Sequence, residues 1–373
     1  MVALSMIALR SNAGAGRARS DRRHQTAMMA VGSKGPKEFS VPRLGTGTWA
    51  WGNKVVWGYE ESMDAELGRA YEAARRLTAC DQASNGAGAL FDTGDSYGTG
   101  RLSGRSEVLL GEFGERHRSE DDKGEGEEAL LATKMATYPW RVTRGSMVSA
   151  CEASLRRLKV DKVGLAQIHW PASNYNPLQE QALWRGLGDI YDGGLARAVG
   201  VSNYGPKQLK KIHAYLAGRG VPLATCQVQL SLLSYGPMQN ELVAVCADLG
   251  VTLIAYSPLA LGLLTGKYGE GGVKAPTAIR SLAFRKAAPK CGPLLRELER
   301  VGEECGGLTQ GQVALAWCVA KGTVPIPGAK TAAQVEQNFG ALGADLTASQ
   351  CAALERAAEE SGARVQQNIF QTE

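Results

Sequence analysis

Short apolar runs alternate along this chain with longer stretches in which apolar residues recur every three or four positions, the signature of strands alternating with helices. The first run, Arg43–Trp49, carries Gly45 and Gly47 and ends in an aromatic, and helical spacing follows over Ser62–Leu77 with Ser62 as its N-cap. Gly88–Phe91 reads as a strand ending on Asp92, followed by a helix over Ser106–Phe113. Glu115–Glu128 is dense in charge and glycine and reads as a solvated insertion. The pattern then resumes: strand 129–133 ending on Lys134, helix 146–158, strand 163–168 ending on His169, and helix 178–191. Strand 195–201 runs into Ser202 and Asn203, helix 207–216 follows, and strand 224–226 runs into Gln227. Helix 241–249 leads to strand 251–255, which ends on Tyr256 and Ser257. Strand 323–326 and helices 332–342 and 348–358 close the chain.

Eight such strands, with no change of composition that would mark a linker, predict an α/β fold: one (β/α)8 TIM barrel over residues 38–373, including a C-terminal helix. The alternative is an open doubly wound sheet. It usually turns through Gly-x-Gly-x-x-Gly after its first strand, a motif absent here.

In a parallel barrel every strand's carboxyl end opens on the same mouth. Here those ends carry Asp92, Lys134, His169, Asn203, Gln227 and Tyr256. Gly94 and Gly98 allow the loop after Asp92 to turn sharply and bring Tyr97 back over the strand end. Taken alone, that stretch also fits a turn in which Asp92 bonds local backbone amides. A lysine following an apolar strand needs a buried partner, and Asp92 is placed to be one. His24, His117 and His213 fall in the leading segment, the charged insertion and a helix, which leaves His169 as the histidine at a strand end. A phenol titrates near pH 10, and a neighbouring ammonium favours its ionised form. Lys134 is therefore expected to lower Tyr97, Asp92 to orient Lys134, and His169 to donate to a carbonyl oxygen. That set suits proton transfer coupled to hydride transfer. One histidine at the mouth does not make a zinc site, and no Gly-x-Ser-x-Gly supports a serine nucleophile.

Composition narrows the class. Hydrophobic residues make up 44 % and charged residues 21 %, as in a globular chain with a sizeable core, and no apolar run is long enough to span a bilayer. The net charge of +5 arises from the first 37 residues, which carry +6 and leave the remainder at −1, so nucleic acid is not an expected partner. That leading segment is rich in Arg, Ser, Ala and Gly, has no acid before Asp21, and reads as an organelle transit peptide; a disordered tail that is retained is the alternative. The eight cysteines (Cys80, Cys151, Cys226, Cys246, Cys291, Cys305, Cys318 and Cys351) form no Cys-x-x-Cys pair, which suits a reducing compartment.

From about Val41 to the C-terminus the sequence resembles the aldo-keto reductase family, on F-D-T-G-D-S-Y-G, A-T-K, Q-I-H-W-P, G-V-S-N-Y, A-Y-S-P-L and I-P-G-A-K-T-A-A-Q-V-E-Q-N. It is most similar to the long plastid members of plants and algae, and more distantly to pyridoxal reductases and potassium-channel β-subunits. The resemblance implies an Asp, Tyr, Lys, His tetrad, here Asp92, Tyr97, Lys134 and His169, and NADPH/NADP+ as cofactor. It places the nicotinamide end near Thr48, Trp49, Asp92, Ser202, Asn203, Gln227 and Tyr256, with the Tyr256 ring stacked on the nicotinamide. The pyrophosphate would pass Ser257, Pro258, Leu259 and Lys267, and the adenosine end would meet Arg280, Gly328, Lys330, Gln334 and Asn338. Many members carry arginine where Gln334 stands, which weakens the preference for NADPH over NADH. Trp49, Trp51, Trp57, Tyr138, Trp140 and Trp170 are candidates to line the pocket of a small carbonyl substrate, or else pack the barrel rim. The implied protein is a plastid reductase, a monomer or weak homo-oligomer in the stroma or at the surface of plastid lipid bodies. The rivals are a nucleotide-sensing binding protein like the channel subunits, and a lipid-body protein whose reductase activity is slow.

Overall fold

The computed structural model describes residues 39–372, except 85, 99–103, 121–128, 174, 269–276, 367 and 369. The leader expected over residues 1–37 lies outside the described residues, as does much of the expected charged insertion. Eight parallel strands make one sheet in sequence order: β1 (Thr46–Gly47), β2 (Leu90–Asp92), β3 (Leu130–Met135), β4 (Val163–Ile168), β5 (Ala196–Ser202), β6 (Leu223–Gln229), β7 (Thr252–Tyr256) and β8 (Val324–Ile326). The sheet closes on itself where Gly45 N and Gly47 N donate to Pro325 O and Pro327 O, each at 3.0 Å. The glycines make that seam possible: a Cβ on Gly47 would stand 2.8 Å from the Ile326 carbonyl oxygen. β1 is therefore far shorter than the run that predicts it, because its flanks turn away into the seam and the following loop.

After a one-turn helix over Lys54–Trp57 come the longer helices α1 (Asp64–Cys80), α2 (Arg105–Glu120), α3 (Arg144–Leu158), α4 (Pro177–Asp192), α5 (Pro206–Ala217) and α6 (Pro237–Leu249). After β7 come α7 (Ala278–Ala287), α8 (Gly292–Glu304) and α9 (Gln310–Ala320), and after β8 come α10 (Ala332–Phe339) and α11 (Ala348–Ser361). No element predicted from the sequence corresponds to α7, α8 or α9. Ser62 does not cap α1, which begins after a 3-10 turn over Glu61–Met63. α2 runs on through the first part of the expected insertion, held there by His117 against Glu72 at 3.3 Å and Lys159 against Glu115 at 2.5 Å.

Two apolar layers result. Leu90, Leu130, Ala132, Leu165, Ala198, Ile254, Val324 and Ile326 fill the barrel interior, with Phe39 and Val41 packed against them. Several of these begin their strands, so this cluster is the barrel's floor, and polar side chains are left for the carboxyl ends. The larger core lies between strands and helices. No helix among the described residues is long and apolar enough to cross a membrane.

Candidate active site

Asp92 ends β2 and Lys134 lies one place before the end of β3. Parallel register pairs Asp92 with Ala132, so Lys134, two places further on, falls on the same face and the two side chains meet inside the mouth, where Lys134 Nζ lies 2.6 Å from Asp92 Oδ1 and donates to the Thr93 carbonyl at 2.7 Å. Their side chains are 1 % and 4 % exposed, a depth at which a charge survives only with such partners. Gln227, on β6, donates from Nε2 to the other carboxylate oxygen of Asp92 at 2.6 Å. Sequence spacing could not reveal that bond.

Tyr97 returns over this pair. Lys134 Nζ is 5.0 Å from the centre of its ring, and the His169 imidazole meets the ring edge-on at 5.5 Å between centroids. Ser96 Oγ lies 3.4 Å from His169 Nδ1. The loop is held by Asp95, which accepts from Ala136 N at 3.0 Å and pairs with Arg141 at 2.5 Å. Burial, then the charge of Asp92, pushes the Tyr97 phenol well above the usual tyrosine range. The expectation that Lys134 lowers it does not hold in the free protein, because the ammonium is spent on Asp92 at hydrogen-bonding distance. Burial also draws Lys134 below the ordinary lysine range, against the pull of Asp92. Burial, reinforced by Lys134 and Arg141, holds His169 well below 6.5, so its ring is neutral at neutral pH.

The remaining expected residues form a trail across the mouth. Ser202 ends β5, and Asn203 just after it takes φ +64°, a conformation asparagine tolerates better than most residues. Its side chain donates to His169 O at 2.9 Å and accepts from the Tyr256 hydroxyl at 2.9 Å. Thr48 is buried and donates to the Asp92 carbonyl at 2.8 Å, so it braces the loop after β1, while Trp49 reaches the surface and meets Trp57 edge-on. Ser257 also lies in the left-handed region, ahead of Pro258 and Leu259.

Arg280, 6 % exposed, lies among the rings of Trp57, Tyr268 and Phe284 at 4.7, 5.2 and 5.5 Å. It donates to Leu261 O at 2.6 Å, its Nε has no partner, and no carboxylate among the described residues pairs with it. Lys330 donates to Trp57 O at 3.3 Å and is held below the lysine range by burial, then by the positive charges of Arg280 and Lys267. Gln334 accepts from Lys330 N at 2.7 Å, Gly328 bridges to Gly47, and Asn338 is buried near the end of α10. Three cations that act on one another, with no carboxylate among the described residues pairing with them and one carrying an orphaned N–H, form a cradle that fits a bound phosphate.

The aromatic expectation divides. Trp51 is fully buried against Phe91 and Phe113 and lines no pocket. Tyr138 stacks on Trp140 at 4.6 Å and meets Trp170 edge-on at 6.2 Å. Phe370, from the C-terminal tail, stacks on the Trp170 ring at 4.9 Å. Sequence reasoning missed this tail, which carries no chemical motif. It also missed Glu180, a carboxylate 3 % exposed that accepts from Ala172 N, Ser173 N, Trp184 Nε1, Tyr204 Oη and Gln208 Nε2. That one side chain ties the loop carrying His169 to the loop carrying Asn203.

A match to the Aldo/keto reductase family spans residues 43–359. The chain belongs to this family. It is 54 % identical over 334 residues, 90 % of this chain and 88 % of the relative, to a chloroplastic pyridoxal reductase of Arabidopsis thaliana. It is 34 % identical over 85 % of its length, and 90 % of the relative's, to an uncharacterized oxidoreductase of Mycobacterium bovis. Among solved structures, a glycerol dehydrogenase from Gluconobacter oxydans matches with a TM-score of 0.70 and 25 % identity over 91 % of this chain and 98 % of that one. An aldo/keto reductase from Klebsiella pneumoniae, in complex with NADP and acetate, matches with a TM-score of 0.62 and 23 % identity, over 89 % and 95 %. As a member of this family the chain is an oxidoreductase built on a (β/α)8 barrel.

Proposed function

We propose that this chain reduces an aldehyde to an alcohol with NADPH, and that its substrate is pyridoxal or a similar planar aromatic aldehyde. The observation that carries the reading is the meeting of Tyr97, Lys134, Asp92 and His169 at one barrel mouth. When bound, NADPH supplies a hydride to the carbonyl carbon. Tyr97 gives the oxygen its proton, for which a raised phenol pKa keeps that proton in place at neutral pH. His169, neutral, donates a hydrogen bond to the same oxygen as negative charge grows on it. Lys134 stands near the phenolate that remains, and Asp92, held by Gln227, keeps Lys134 charged and aimed. Ser202, Asn203 and Gln227 are suited to the nicotinamide amide, and Tyr256 to stacking on its ring.

The cradle of Arg280, Lys330 and Lys267 supports NADPH over NADH, since a 2′-phosphate supplies the anion these groups lack. It also offsets the glutamine at position 334. The walls made by Tyr138, Trp140, Trp170 and Phe370 favour a flat ring, consistent with pyridoxal, the substrate named for the Arabidopsis relative. The basic leader and that chloroplastic relative support a plastid location, with the stroma the site of action.

The test is steady-state oxidation of NADPH by the purified chain with pyridoxal and 4-nitrobenzaldehyde. Turnover with pyridoxal supports the whole reading. Turnover with 4-nitrobenzaldehyde alone removes pyridoxal as the substrate and leaves the planar aromatic aldehydes as its class. Tight NADPH binding without turnover on either would instead favour a nucleotide-sensing role.

A further inference from the structure

Beyond α11 the chain turns at Gly362, φ +60°, and runs back over the carboxyl ends of β5, β6 and β7, outside the span of the family match. It is fastened on both sides of Asn368. Val365 N donates to Leu233 O at 3.0 Å and Gln229 Nε2 to Gln366 O at 3.1 Å. Further on, Gly205 N donates to Thr372 Oγ1 at 3.0 Å and Thr372 N to Asn203 O at 3.2 Å. Between these ties the Asn368 amide makes two bonds that point to different parts of the site. Its Nδ2 donates to the Tyr256 hydroxyl at 2.9 Å, and that hydroxyl donates in turn to Asn203 Oδ1. Its Oδ1 accepts from Phe370 N at 3.0 Å, which sets the backbone whose ring stacks on Trp170, and Trp170 lies 4.8 Å from the His169 ring.

We propose that Asn368 is a positioning residue that joins the cofactor side of the site to its substrate side: the amide that fixes the Tyr256 ring also fixes the Phe370 wall, so seating one orders the other. The inference rests on the reading of Tyr256 as the ring that stacks on nicotinamide. A phenol ring can turn about its side-chain torsions, and among the described residues Tyr256 is held at its far end by Asn203 and Asn368. Losing one such neutral bond weakens a site by about twofold to tenfold. Losing it at a joint affects both ligands, as linkage between sites requires.

The test is a double-mutant cycle on the full chain, reading NADPH affinity by quenching of protein fluorescence and the KM for pyridoxal, with 4-nitrobenzaldehyde as second probe. Asn368→Ala and Tyr256→Phe are each expected to weaken NADPH about fivefold, and the double variant no further than either alone. Asn368→Ala and Phe370→Ala are both expected to raise the aldehyde KM about fivefold, with a smaller change in kcat. If Asn368→Ala leaves NADPH affinity within about twofold while Tyr256→Ala weakens it strongly, the joint is wrong and the stacking reading survives. If Tyr256→Ala leaves NADPH binding unchanged, the stacking reading fails and takes the joint with it. If Asn368→Ala weakens NADPH as much in the Tyr256→Phe background as in the parent, Asn368 merely fastens the tail and the proposal is overturned. An unchanged aldehyde KM in Asn368→Ala overturns it as well.

Discussion

Lys134 and Asp92 form an ion pair at 2.6 Å that is almost wholly shut off from water, and the Tyr97 ring lies over it. Removing one partner of a buried pair leaves the other charge uncompensated, at a cost of about 3–5 kcal/mol. Lys134→Met is therefore expected to lower unfolding stability by that order, measured by urea denaturation, while also abolishing turnover. A loss below about 1 kcal/mol would mean that Asp92 does not depend on this lysine.

Tyr97→Phe keeps the ring and removes only the proton donor. General acid catalysis is worth about 10²–10⁴ in rate. kcat should fall by about that factor with NADPH affinity within about twofold of the parent. Rates near those of the parent would exclude the phenol as the acid.

The pH behaviour follows from the two displaced groups. Tyr97 sits well above its usual value of 10, so the protonated phenol persists through the neutral and mildly alkaline range. The kcat/KM for aldehyde reduction should stay flat upward from neutrality, and alcohol oxidation, which needs the phenolate, should climb as pH rises. His169 titrates below its ordinary 6.5 in the folded protein, so the unfolded chain binds the extra proton first. The associated stability is complete above pH 6.5 and is lost as pH falls below it. Thermal midpoints measured downward from pH 6.5 should decline, and less steeply in His169→Gln.

Arg280 and Lys330 are the groups with most to gain from an anion. Charge-assisted bonds contribute about 1.5–3 kcal/mol each, so Lys330→Met should weaken NADPH about tenfold or more while changing NADH little. Equal losses for the two nucleotides would move the 2′-phosphate elsewhere.

Much of this architecture is legible in sequence because a parallel barrel writes itself as short apolar runs, each ended by a residue that must face the mouth. Asp92, Lys134, His169, Asn203, Gln227 and Tyr256 can be placed from that rule alone. The segment from about 260 to 320 is harder to read. α9 is apolar on almost every side, so its helical period is masked. Glu180 is invisible for another reason. In sequence it is one acid on an amphipathic helix, and its importance comes from Trp184 on the same helix and from four donors outside that helix, Ala172 N, Ser173 N, Tyr204 Oη and Gln208 Nε2. Trp51 illustrates the converse: an aromatic near a strand end can turn outward into the helix layer as readily as toward a ligand.

Glu180 gives its own test. Glu180→Ala strands several buried donors at about 1–3 kcal/mol each, and the loop after β4 loses its anchor. Hydrogen exchange at Ala172 and Ser173 should accelerate in this variant ahead of global unfolding. Unchanged exchange would show that the loop is held by other means.

Phe39 and Val41 pack into the barrel's floor, whereas Thr372, 7 % exposed, is bonded into the loops of its mouth. The two ends of the folded chain therefore leave from opposite faces. Cargo attached at the C-terminal side starts beside Asn203 and Gly205 at the barrel mouth, whereas the first described residues start from the opposite end of the barrel.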